Sequence, residues 1–296
     1  MRIVAGLGVK FNSVECCESR ARRNYRGRFR VLARGAYNPR MLRALTLATV
    51  LTTVTLAAVD GRVRNAAVDP PVPREAARQF NALVADVHDR RIDRDAARAR
   101  IRALLPSIAA DFHARGGVDA PADAWRFPLA SYGSESIGGK NGSGYQAAGY
   151  DWFDGYMSHG HPAHDIFIRD RDEDELDDAT GKPVDVLSIS GGTVVASATD
   201  WAPGSILRGG RYVYVYDPMR SNLFYYAHLR SLHVELGDIV SPGQAIATVG
   251  RSGRNAAQPR SPTHLHVMCL VIEGDAPRAR DIYRDLLRLG RRRAGV

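Results

Sequence analysis

Arg211–Leu229 reads RYVYVYDPMRSNLFYYAHL: two β-rich runs, Arg211–Asp217 and Leu223–Leu229, joined by Pro218-Met219-Arg220-Ser221-Asn222. Aromatic and β-branched residues at this density, around a turn-forming connection, predict a β-hairpin. The same texture continues on both sides. Gly191-Gly192 opens the strand-like TVVASA, and Val234–Gly250 (VELGDIVSPGQAIATVG) alternates short strands with Gly-Asp and Pro-Gly turns. The run HLHVMCLVI at 264–272 is read as the end of the sheet, and Ile282, Leu286 and Leu289 predict a closing helix over Arg278–Leu289. The expected fold is mainly β: an antiparallel sheet domain over 125–273, followed by a C-terminal helix and basic tail over 274–296.

Ahead of the sheet the period changes. Phe80, Leu83, Val84 and Val87 recur at i, i+3, i+4 and i+7, which predicts a helix from about Arg74. Asp93 is a natural N-cap for a second helix carrying Ala97, Ile101, Leu104 and Leu105. Pro106 is expected to break or kink it, leaving a short third piece with Ile108 and Phe112 before Gly116-Gly117. Residues 74–117 thus read as an N-terminal helical hairpin without chemistry of its own. His88 and His113 read as surface residues. Residues 61–73, with Asp69-Pro70-Pro71-Val72-Pro73, read as a stiff linker.

The net charge of +9 sits almost wholly at the start: residues 1–43 hold eleven Arg or Lys and two Glu, and the rest balances to zero. That distribution argues against a nucleic-acid partner. Residues 44–59, ALTLATVLTTVTLAAV, carry no charge. At about 1.5 Å per residue they fall short of a hydrocarbon core of roughly 30 Å, and with Arg43 ahead of them they read as a secretory signal. Residues 1–60 are therefore expected to be a basic leader with a signal peptide, or a membrane anchor if uncleaved. Met41-Leu42-Arg43 is the expected true start, and the expected location is the periplasm, the cell envelope or the exterior. Of three cysteines only Cys269 lies beyond the leader; it is expected to be a buried small hydrophobe.

Seven of nine histidines fall between 159 and 266. Six lie in three segments: His159-Gly-His161-Pro-Ala-His164-Asp165, Tyr226-Ala-His228-Leu229 and His264-Leu-His266. On a strand, His264 and His266 project from one face while Leu265 and Val267 point into packing. Two imidazoles forced together call for a metal. Catalytic zinc takes three protein ligands and keeps a fourth position open, a count that two His and one carboxylate meet, although copper or nickel suit the same atoms. Asp170–Asp178 (DRDEDELDD) reads as a solvated acidic insertion, with calcium as the rival reading.

These segments, together with Gly237-Asp-Ile-Val-Ser-Pro-Gly-Gln-Ala-Ile-Ala-Thr-Val-Gly-Arg-Ser-Gly253, resemble the lysostaphin/LytM-type zinc metallopeptidases, which cut peptide bonds in peptidoglycan. The resemblance covers roughly residues 140–272. It implies that His161, Asp165 and His266 bind Zn2+ and that His228 and His264 are the catalytic pair. It implies a secreted endopeptidase acting on the peptides of peptidoglycan, with a non-catalytic cell-wall binding or amidase-regulating protein on the same fold as the alternative. Ala163-His164 departs from the family's usual Gly-aliphatic pair before the Asp, so His164 and His159 stand as rival ligands. A lipoyl-like carrier, suggested by Gly237–Gly250, lacks a Lys to modify.

Overall fold

The computed structural model describes residues 74–293. The leader, the start at Met41 and the charge-free run 44–59 lie outside them, as does the linker at 61–73. Among the described residues no helix is long and apolar enough to cross a membrane.

Helices α1 (Glu75–His88) and α2 (Arg94–Ala114) form the hairpin. Asp93 caps α2 by accepting the Ala96 N–H, as its position predicts. The expected break at Pro106 does not occur: α2 runs through it to Ala114. Pro106 sits on the exposed side, while Leu104, Leu105, Ile108 and Phe112 are buried on the other. That packed stripe on both sides of the proline outweighs the lost backbone hydrogen bond.

The sheet is antiparallel throughout. Its strands are β1 (His164–Phe167), β2 (Asp185–Leu187), β3 (Gly192–Ala198), β4 (Arg211–Asp217), β5 (Asn222–Leu232), β6 (Ile239–Val240), β7 (Ala245–Val249), β8 (His264–Glu273) and β9 (Ala276–Arg280). The main path runs β1-β8-β5-β4-β3-β6; β9 pairs with β8, and β7 joins β5 to β2. The quoted hairpin is β4–β5, in register from Asp217↔Asn222 up to Tyr212↔Ala227. The sheet does not end at 272. After a turn at Gly274, Ala276–Arg280 pairs back onto β8, and the last helix, α3, is Tyr283–Arg293 and not Arg278–Leu289. Pairing along an open strand edge takes residues 278–280 that periodicity alone assigns to the helix.

Both faces of the sheet are covered, which is why β4 carries Val and Tyr in alternation with no polar face. Val213, Val215, Phe224, Tyr226, Leu265 and Val267 point to one core, which Trp125, Ile282 just ahead of α3, and the α3 residues Leu286 and Leu289 close. Tyr212, Tyr214, Tyr225, Met268 and Leu270 point to the other, where the hairpin supplies Phe80, Leu83, Val84 and Val87. Cys269 is buried with no exposure, as expected. Ion pairs tie the hairpin down: Arg98 and Arg102 both reach Asp275, and Arg94 reaches Asp151 at 2.7 Å.

The acidic segment is not simply solvated. Asp170 and Asp177 are buried, and Asp170 accepts the backbone N–H groups of Asp174 and Glu175. Glu173 pairs with Arg251 at 2.8 Å. Carboxylate oxygens of Asp170, Asp172 and Asp174 lie within 4.8 Å of one another.

Asp217 gives a prediction on stability. It is 2% exposed, its Oδ1 accepts the Arg220 N–H, and its Oδ2 has no partner among the described residues. Burial pushes its carboxyl up to about 6, against the pull of the Arg220 backbone and side chain. A raised folded-state value means that the protonated form fits the fold best. The stability this group confers is complete below about 3.8 and is lost as pH rises through about 6. Asp217→Asn should therefore be the more stable chain at pH 8, by on the order of 1–3 kcal/mol, with the gap closing toward pH 4. Urea denaturation at the two pH values checks this; a gap of equal size at both would refute it.

Candidate metal centre

Four of the five implied site residues lie on strands of one sheet, and the fifth stands just ahead of β1. Strand β1 sets Asp165 opposite His266 and Phe167 opposite His264. Period-two alternation on β8 sends His264 and His266 to the face of Met268 and Leu270, the hairpin side. His161 precedes β1 and is tied by paired backbone hydrogen bonds to Gln146.

His228 needs a further device. By strict alternation it would follow Tyr226 into the opposite core. Instead Tyr212 pairs with Ala227 and Arg211 with Leu229, so β5 spends one extra residue there. That residue is His228, at φ 63. This β-bulge turns the imidazole to the side of His264 and His266, with ring centroids at 4.9 and 5.4 Å. Left-handed backbone at a non-glycine residue costs about 1–2 kcal/mol, and such strain clusters at functional sites.

Backbone carbonyls fix three ring tautomers. A carbonyl only accepts, so each Nδ1 bonded to one carries the proton. His161 Nδ1 donates to Gly144 O at 2.8 Å, His228 Nδ1 to Ser252 O at 2.8 Å and His264 Nδ1 to Pro262 O at 2.7 Å. When neutral, each then presents Nε2 as a lone pair. His161 Nε2 lies 3.2 Å from Asp165 Oδ1, and His266 Nδ1 lies 3.0 Å from the same oxygen. His264 Nε2 stands further off, at 3.8 Å. A lone pair facing a carboxylate at 3.2 Å needs a cation between them, either a proton or a metal ion. The Asp165 hydrogen bond raises the His161 pKa, against burial. Burial would raise Asp165, but the His161 and His266 contacts outweigh it and hold its carboxyl far below the usual range. Burial, helped by the two neighbouring imidazoles, pushes His228 down to about 3.

His161, Asp165 and His266 offer one ligand atom each, all within 4.8 Å of one another. Two imidazole nitrogens and one carboxylate oxygen suit zinc by donor type and number. His164 is on the other side of β1: it is 1% exposed, bonded through Nε2 to Asp281 at 3.0 Å and stacked on Tyr145. His159 lines the cleft without joining the three-ligand group. The glycine-rich stretch 138–145 contributes the Gly144 carbonyl that orients His161.

The site lies in a cleft of about 350 Å³ whose far wall is aromatic, with Tyr150, Tyr156, Tyr212 and Tyr225. His88, expected at the surface, lines this cleft, with its ring 4.8 Å from that of Tyr156. His113 is exposed, as expected, and so is His233.

Gly253 sits directly behind His228 at φ +111. A Cβ there would meet His228 Nδ1 and Arg208 O, each at 2.7 Å. Gly253→Ala should therefore displace the imidazole and break its hydrogen bond to Ser252 O. The His228 ring resonances in NMR spectra, alongside circular dichroism for folding, check this; a folded variant with unshifted resonances would show that His228 is not held from this side.

An antiparallel sheet carrying a His–Asp–His cleft is a site of the metal-binding type. Residues 175–276, about a third of the chain, match the model of Peptidase family M23, the family of the lysostaphin/LytM-type resemblance. The matched segment contains His228, His264 and His266, whereas His161 and Asp165 precede it. No curated protein matches. Among solved structures, the catalytic domain of lysostaphin from Staphylococcus simulans is 19% identical, with 56% of this chain and 94% of that one covered and a TM-score of 0.32. A zinc-containing peptidase from Vibrio cholerae is 22% identical, with 52% and 38% covered and a TM-score of 0.33. At such scores these likenesses carry no argument about activity. The chain spans 38% of a lysostaphin solution structure, 53% of a peptidase M23 structure from Pseudomonas aeruginosa and 38% of the Vibrio protein.

Proposed function

We propose that the protein is an exported zinc metalloendopeptidase that hydrolyses peptide bonds in the stem peptides or cross-links of peptidoglycan. The observation that carries this reading is the His161 Nε2 lone pair facing the Asp165 carboxylate beside His266, with two further imidazoles turned to the same cleft. His161, Asp165 and His266 would hold the ion, which supplies a Lewis acid for the scissile carbonyl and for an attacking water. His228 and His264 would do the proton work. With Nδ1–H committed to a carbonyl, each offers Nε2 to accept the water's proton and later to return it to the leaving amine. Once protonated, either imidazole stabilises negative charge on the tetrahedral oxygen. Export is supported by the charge-free run 44–59 behind Arg43.

The experiment is loss of turbidity from a cell-wall suspension with the zinc-loaded chain, with the chelator-stripped chain as control. Clearing that requires the metal is expected. Equal clearing by the stripped chain would overturn the metal's role.

A further inference from the structure

Charge is scarce in the cleft. His88 is held neutral at ordinary pH, its pKa pushed down to about 4 by burial, and burial pushes the Tyr156 phenol up to about 12. Among the described lining residues, only Asp165 and Arg208 carry permanent charge, and Asp165 is already matched by imidazoles. Arg208 lies in the connection leading to β4. Its Nη1 donates to Ser158 O at 3.0 Å and to Tyr156 O at 3.2 Å. The guanidinium is thus pinned across the cleft against the segment that runs into His161. The fork spends one nitrogen on these two carbonyls, and no carboxylate of the described residues pairs with it. A fixed planar cation on an otherwise neutral wall is a receptor for a carboxylate, which an Arg fork matches in geometry and charge.

We propose that Arg208 anchors a carboxylate of the bound peptide, so that the cleft selects peptides carrying a free carboxylate near the scissile bond over their amides. This deepens the peptidase reading and rests on it for the identity of the ligand as a peptide. A charge-assisted contact of this kind separates the two peptides by about tenfold or more.

The test uses two synthetic stem peptides, identical except that one bears a free carboxylate and the other its primary amide. Binding to the zinc-loaded full chain is measured by calorimetry, and cleavage is followed by mass spectrometry in parallel. The wild-type chain is expected to bind the acid at least tenfold more tightly. Arg208→Gln should bind the two alike, and Arg208→Lys, which keeps the charge without the fork, should fall between. No preference in the wild-type chain would overturn the proposal. So would a preference that survives in Arg208→Gln, because the carboxylate would then sit elsewhere. If Arg208→Gln fails to fold, the wild-type preference and its reduction in Arg208→Lys decide. Preferential binding without hydrolysis of either peptide would sink the proposed activity and leave the anchor standing.

Discussion

His266→Ala is expected to give a folded chain that holds no zinc at sub-micromolar concentration and has no measurable hydrolysis. His266 shares Asp165 Oδ1 with His161, so its loss leaves two ligand atoms where a catalytic ion needs three. Loss of a group that merely orients a ligand lowers metal affinity by about 10–100-fold, and loss of a ligand should exceed that. His161→Ala and Asp165→Ala should behave in the same way. Elemental analysis after dialysis checks all three, with circular dichroism to establish folding. Full zinc occupancy in His161→Ala would instead make His159 the ligand, since His164 is turned to Asp281.

His228→Ala and His264→Ala should separate from the ligand variants: zinc retained, turnover lowered by roughly 10²–10⁴-fold. Both rings are anchored by carbonyls outside the ligand group, Ser252 O and Pro262 O, and neither belongs to the three-atom set. Elemental analysis together with kcat distinguishes the two classes. Loss of zinc from both variants would end the division of roles.

Much of this was legible in the residues. The H-x-H pair at 264 and 266 needs only strand alternation to share a face. The β4–β5 hairpin follows from its Val and Tyr content and its turn. The helical stripe Phe80, Leu83, Val84 and Val87 falls where its period puts it. What was not legible depended on tertiary partners. Nothing local to Tyr226-Ala-His228 announces a bulge. The extra residue becomes visible only against the register of β4, although histidine is among the residues found more often in left-handed backbone. Pro106 reads as a breaker until the buried residues on both sides are seen to pack. Residues 276–280 have no strand signature and take their conformation from the β8 edge. His88 looks like a surface residue at a helix end, and only the docking of α1 on the sheet brings it into the cleft.

The most direct test is mass spectrometry of the muropeptides released from purified sacculi by the zinc-loaded chain. The account predicts new products in which one peptide bond has gained a water, absent with His264→Ala. Sacculi that bind the chain and stay chemically unchanged would contradict it, and would make the protein a cell-wall binding module on a peptidase fold.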